Sequence, residues 1–306
     1  MNQTLRTMKK LIARWTEGQS LLRTQIPGVY LFRREQPSAT ETVMYEPCIC
    51  FLIQGAKRVY HGSGSFVYDA RRFLVASVDI PTVVDVISAS PEEPCFGVVI
   101  DIDRNEVSRL MLENEIPAPK EQRPGPGIAT GEVTLPLLDA VRRLVTLLDD
   151  SRDIPVLAPI LKREILYRLL ISDQGMRLRQ IEKAGSRSRQ ISEAIDWLKE
   201  NFTRPLRVDD LAARVHMGTS TFHHHFRSLT ARSPLQYQKW LRLNEARRLM
   251  LVNRLDASTA SFRVGYESPS QFSREYSRLF GTSPARDVAS MRKGNSEAVG
   301  RTGDDT

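Results

Sequence analysis

Few residues in this 306-residue chain have side chains suited to chemistry: five histidines and three cysteines supply its imidazoles and thiols. Three histidines stand together as His223-His224-His225. Successive helical side chains diverge by about 100°, so three in a row cannot converge on one metal ion. The N-terminal half has one histidine, His61, too few for the imidazole set of a barrel metal site. No metal or cofactor is expected. Cys48 and Cys50 lie two apart in a strand-like run and share a face, and Cys95 precedes a later run. Their simplest reading is as small buried hydrophobes. The alternative is a thiol that senses an effector, electrophile or oxidant. Three cysteines make no disulfide framework, which suits the cytosol.

The elements that position these groups fall into two halves. From Val43 to Ile102 the apolar runs are short and rich in β-branched and aromatic residues, at 48–54, 58–62, 65–69, 72–78, 82–88 and 96–102. Turn residues separate them, and His61 to Ser65 reads as a hairpin tip. Such spacing predicts a small β-sandwich or barrel. Helical patterns follow at Arg104–Asn114, at Leu135 to Leu148 and at Val156–Ile171, with a Pro/Gly-rich loop over 116–131 between the first two. These helices could pack on the β domain or on the same helices of a second chain. Ser172 to Arg189 reads as a linker.

Charge separates the halves further. Residues 1–186 carry 24 basic and 23 acidic side chains, residues 187–293 carry 19 and 10, and the last thirteen residues are net −2. The overall +8 is thus confined to one segment of about a hundred residues, which points to an anionic partner for that segment. No apolar run reaches the roughly 18 residues of a membrane span. The start has no apolar core of the secretory kind.

That basic segment repeats itself. Residues 218–234, GTSTFHHHFRSLTARSP, align with 268–284, SPSQFSREYSRLFGTSP, at an offset of 50. Ser220 falls on Ser270, Phe222 on Phe272, Phe226 on Tyr276, Leu229 on Leu279 and Pro234 on Pro284. Each copy reads as helix, tight turn, helix. In the first, Val208–Val215 precedes a turn at His216-Met217-Gly218. In the second, Ala257–Val264 precedes a turn at Gly265-Tyr266-Glu267, where Ser268 looks like an N-cap with Pro269 behind it. Between them Leu235 to Val252 predicts a helical strut about 27 Å long, able to hold two helices roughly one DNA turn apart.

Residues 187–290 resemble the DNA-binding domain of AraC/XylS-family transcription regulators, through LAARVHMGTSTFHHHFRSLTARSPLQYQKWLRLNEARRLML and, more specifically, ASFRVGYESPSQFSREYSRLFGTSPARD. The stretch EPCICFLIQGAKRVYHG…RFLVASVDIP is similar to the cupin-like sensory domain of one subgroup. The first recognition helix departs from the pattern, with Gly218-Thr219 where the family often has Ser-Pro. The implied fold is α+β: a cupin-like barrel with relay or dimerisation helices over 1–172, a linker at 173–186, a double helix-turn-helix domain over 187–292 and a flexible tail over 293–306. The implied function is a cytoplasmic regulator, not an enzyme, that binds double-stranded promoter DNA under control of a small effector. Activation through RNA polymerase is more frequent in the family than repression, and a homodimer is possible.

By position in the family motif, Ser220, His223 and His224 face base edges on the first recognition helix, and Ser270, Gln271, Ser273 and Arg274 on the second. Gln can pair with adenine and Arg with guanine. Arg227, Arg242, Arg247, Arg278 and Arg286 are assigned to phosphate. Two rival classes stand beside this reading. One is a repair enzyme using an activated thiol, which needs a base beside it, with only His61 nearby. The other is an architectural DNA binder, which leaves the strand-rich half unexplained.

Overall fold

A computed structural model describes residues 1–62, 64–114, 116, 126–182 and 186–300. The chain divides into two compact units, one of 1–192 with 224–232 and the other of 193–223 with 233–306.

The N-terminal part opens with a helix, α1 (Asn2–Trp15), which buries Met8, Leu11 and Ile12. Ten strands follow among the described residues: β1 (Leu21–Arg23), β2 (Val29–Arg34), β3 (Ser38–Tyr45), β4 (Cys48–Gln54), β5 (Ala56–His61), β6 (Gly64–Tyr68), β7 (Arg72–Ala76), β8 (Ile80–Ser88), β9 (Cys95–Asp101) and, later in the chain, β10 (Ile128–Glu132). They form a six-stranded sheet in the order β1-β2-β9-β4-β7-β10 and a four-stranded sheet in the order β3-β8-β5-β6. Neighbours run antiparallel throughout both sheets.

Strand alternation sets what each face does. On β9, Phe96, Val98 and Ile100 join one large apolar cluster with side chains of α1 and of four later helices. These are α2 (Arg104–Glu113), α3 (Leu135–Thr146), α4 (Ile154–Leu170) and α5 (Gly175–Glu182). The same sheet's other face carries Phe32, Cys50, Cys95 and Gly97 toward the four-stranded sheet, where Val59, Tyr68, Val84 and Val86 are buried. The helices 104–172 therefore pack on the β domain. α4 nonetheless keeps a second apolar stripe exposed, with Val156, Ile160, Tyr167 and Ile171 each at least 42% accessible.

Two expectations are corrected. The stretch 173–186 is not simply a linker: α5 occupies 175–182 and buries Leu178 in the helical cluster. The loop expected over 116–131 contains β10, whose pairing with β7 runs from Ile128↔Ala76 to Glu132↔Arg72. Residues 117–125 and 183–185 of these two segments lie outside the described residues. So do residues 301–306 of the expected tail, whose earlier part continues the last helix to Gly300.

The C-terminal part is helical: α6 (Arg187–Asn201), α7 (Val208–Arg214), α8 (Thr219–Thr230), α9 (Pro234–Val252), α10 (Ala257–Arg263), α11 (Pro269–Phe280) and α12 (Pro284–Gly300). The repeat is visible in its hydrogen bonds. The helices α7 and α10 end in the same way, with Met217 N donating to Ala212 O and Tyr266 N to Ser261 O. In each, a left-handed residue follows the last turn, His216 at φ 55° in one and Gly265 at φ 88° in the other. These equivalences run at an offset of 49, whereas α8 and α11 align at 50. The second turn is therefore one residue longer. Both recognition helices end on a left-handed residue, Ala231 and Gly281, and both are followed by Ser-Pro. Ser233 caps α9 in a reciprocal capping box with Gln236.

Candidate nucleic-acid interface

A helix that reads base edges must bury one face and expose the other. α11 does this: Phe272 and Tyr276 are fully buried, while Ser270, Gln271, Arg274 and Arg278 are exposed along the opposite side. Ser273 is half-buried beside them. Ser268 caps the helix by accepting the Gln271 N–H, and Pro269 fills its first position. α8 follows the same plan, with Phe222, Phe226 and Leu229 buried, Ser220, His224 and Arg227 exposed, and His223 half-buried. It has glycine where α11 has its serine cap, and its attachment to α7 is a side-chain bond instead: Thr219 Oγ1 donates to Asp209 Oδ1 at 2.8 Å.

One carboxylate organises the start of α11. Glu275 accepts from Lys239 Nζ at 2.7 Å, from Tyr266 OH at 2.8 Å and from Gln271 Nε2 at 3.3 Å. Burial pushes its pKa up, but these donors outweigh it and hold the carboxyl below the usual range. Gln271 keeps one amide N–H and its carbonyl, the pair needed for a bidentate contact with adenine. Sequence reasoning misses Glu275. The signal was available, because an acid at 275 on a basic helix sits one turn after Gln271 and on the same side.

The five arginines assigned to phosphate separate into two groups. Arg227, Arg274's neighbour Arg278, and Arg286 are exposed, and their guanidiniums make no hydrogen bond or ion pair among the described residues; Arg274 shares that state. Arg242 and Arg247 do not belong with them. Arg242 spends its guanidinium on four carbonyls, Phe202 (2.6 Å), Gly265 (2.9 Å), Arg204 (2.9 Å) and Thr203 (3.2 Å). Gln238 adds donors to two of these same oxygens. Arg242 thus ties both the chain after α6 and the second helix-turn-helix turn to α9. Arg247 grips Asp287 through Nε (2.7 Å) and a terminal nitrogen (3.0 Å), and lies 4.4 Å from the Phe280 ring centroid. Both are corrections to the phosphate assignment: partners 20–40 residues away claim these side chains. Arg242→Ala is expected to lower C-terminal unfolding stability by about 2–4 kcal/mol, because carbonyls lose a charged donor. The salt dependence of DNA binding should keep its slope; a slope shallower by about one would return Arg242 to the phosphate set.

The three thiols are free and buried in the N-terminal part. Burial raises all three, Cys95 to about 11. A thiol held in its neutral form lacks the nucleophilicity that sensing or repair needs. This placement fits buried hydrophobes and gives the sensing assignment of Cys48, Cys50 and Cys95 no support.

Comparison with known proteins agrees with this geometry. The family described as AraC-type transcriptional regulator N-terminus matches residues 25–177, half of the chain, and a helix-turn-helix domain family matches 211–288. The HTH-type transcriptional activator RhaS of Klebsiella pneumoniae (strain 342) is 25% identical over 232 residues, covering 76% of this chain and 77% of RhaS. The HTH-type transcriptional regulator CdhR of Pseudomonas aeruginosa is 30% identical over 125 residues, covering 41% of this chain and 37% of CdhR. A crystal structure of apo ToxT from Vibrio cholerae superposes with a TM-score of 0.58 at 12% identity, covering 87% of this chain and 98% of ToxT, and shares the fold. The sheet-rich N-terminal part, the paired helix-turn-helix units and the family match together make this chain a member of the AraC family of DNA-binding transcriptional regulators.

Proposed function

We propose that this regulator grips promoter DNA with both helix-turn-helix units, α8 and α11 each entering a major groove. The observation that carries this reading is the exposed polar stripe of α11, backed by a buried aromatic face. Ser220, His223, His224, Ser270, Gln271, Ser273 and Arg274 read bases; Arg227, Arg278 and Arg286 meet phosphate. The sensory domain lies in 1–172 and the DNA-binding domain in 187–292. A small effector acts on the first, and activation passes to RNA polymerase, in keeping with the activator RhaS. The exposed apolar stripe of α4 supports a homodimer through that helix. The site of action is the cytoplasm; no described helix is long and apolar enough to cross a membrane.

Arg274→Ala should cost about 1–3 kcal/mol of binding and relax one base position of the operator. Selection of bound fragments from a random duplex library, with wild type and variant side by side, measures both. Equal weakening on every sequence would make Arg274 a phosphate clamp.

A further inference from the structure

The first helix of the N-terminal part has a face with no role in anything described so far. α1 buries Met8, Leu11 and Ile12 in the large apolar cluster, with Leu5 and Trp15 packed against it. At about 100° per residue its opposite side is formed by Arg6, Lys9, Lys10 and Arg14. Arg6, Lys10 and Arg14 follow at four-residue intervals, about 6 Å apart along the axis, with Lys9 beside the first two. Arg6, Lys10 and Arg14 are exposed and Lys9 is half-buried.

The charge on this face is unbalanced. Residues 1–16 hold these four cations and no acid, and the first acid, Glu17, comes after the helix has ended. Residues 17–186 carry 20 basic and 23 acidic side chains, so the helix stands out against a part that is otherwise net −3. Asp149 borders the face, but Arg14 pairs with it and the Trp15 indole donates to it at 3.2 Å. Arg6, Lys9 and Lys10 make no hydrogen bond or ion pair among the described residues.

Three kinds of anionic partner could answer such a face. A membrane surface requires a free apolar side to insert, and in α1 that side is already packed in the core. A protein partner requires an apolar or aromatic anchor near the centre of its interface, and the apolar side chain set among these cations is the small Ala13. Nucleic-acid phosphate requires neither: Lys and Arg suffice, because released counterions drive the contact. A duplex held by the helix-turn-helix units also presents that polyanion at high local concentration.

We propose that α1 is a second, sequence-independent DNA contact, in which Arg6, Lys9 and Lys10 meet phosphates of the duplex that flanks the bases read by α8 and α11. It rests on the promoter-gripping reading given above and extends the grip to the N-terminal part.

Salt titration of DNA binding by the full-length protein tests this, with an operator selected from the random library. The operator is placed in two duplexes, one of about 20 base pairs that spans both recognition sites and one extended to about 60. Arg6→Gln, Lys9→Gln and Lys10→Gln together remove the charge and keep good helix formers, and thermal unfolding verifies that the variant folds. On the long duplex the variant should bind about tenfold more weakly at low salt, with a slope of log K against log salt shallower by about 2–3. On the short duplex it should match wild type. The exchange Arg6→Lys, Lys9→Arg and Lys10→Arg keeps the charge and should behave as wild type on both. Protection of wild-type Lys9 and Lys10 from acetic anhydride by the long duplex and not by the short one, read by mass spectrometry, needs no variant. Equal slopes for wild type and the glutamine variant on the long duplex, or no protection of either lysine, would overturn the assignment. Loss of transcription in vitro with both slopes unchanged would overturn it in favour of an acidic protein surface. Failure of the promoter-gripping reading would appear separately, as no binding of the wild-type chain to the short duplex.

Discussion

Gly265→Ala is expected to be the most damaging single methyl added to the C-terminal unit, costing at least about 4 kcal/mol of unfolding free energy. Two effects combine. The residue sits at φ +88°, a left-handed conformation that costs an L side chain about 1–2 kcal/mol. The larger effect is steric: a Cβ there would stand 2.1 Å from Thr203 O and 2.9 Å from its carbonyl carbon. That carbonyl cannot simply retreat, because it accepts from Arg242, whose other bonds hold Phe202, Arg204 and Gly265 itself. Displacing one oxygen disturbs the whole cradle. Gly281→Ala is the control. It also has positive φ, at +75°, but nothing lies within 4 Å of its added Cβ, so it should lose only about 1 kcal/mol. Urea unfolding of both variants measures the difference; equal losses would show that the Thr203 contact yields easily.

Asp287→Ala should cost about 3–5 kcal/mol, the range for removing one member of a buried ion pair. Asp287 is 7% exposed and accepts three bonds, two from Arg247 and one from Tyr276 OH at 2.6 Å. Its loss strands a guanidinium and a phenol in the core shared by α9, α11 and α12. Burial raises the Tyr276 pKa, and the bond to Asp287 raises it further, so this hydroxyl remains a donor across the whole accessible pH range. Tyr276→Phe removes a single donor and should cost only about 0.5–1.5 kcal/mol. Thermal unfolding of the two variants ranks them. A loss below about 1 kcal/mol in Asp287→Ala would mean that water takes over the pair.

Much of this architecture was legible in the chain. β4 to β9 emerge within two residues of their apolar runs, because a strand that buries a face needs β-branched and aromatic side chains there. β1, β2, β3 and β10 were not read. Three of these are edge strands: β1 has three residues, β3 is Ser/Thr/Glu-rich, and β10 contains Gly131. β2 is an interior strand whose short apolar run, Val29 to Phe32, stands between turn residues and two arginines. α1 was also legible, since Leu5, Met8, Leu11, Ile12 and Trp15 repeat at helical spacing. The exposed faces of α8 and α11 followed from periodicity alone. The roles of Arg242 and Arg247 did not, because periodicity says which side a residue takes and nothing about which distant carbonyl or carboxylate waits there.

The extra residue in the second turn has a consequence for the operator. The two reading heads differ in loop length, in their cap, in the companion that steadies them and in nearly every exposed side chain. A single chain therefore has no internal two-fold equivalence, and what it recognises has a left and a right. Inverting the site would turn the whole protein around on the duplex and present a different flank to whatever assembles at the promoter. For such a protein the direction in which a site is written carries meaning as much as its letters do.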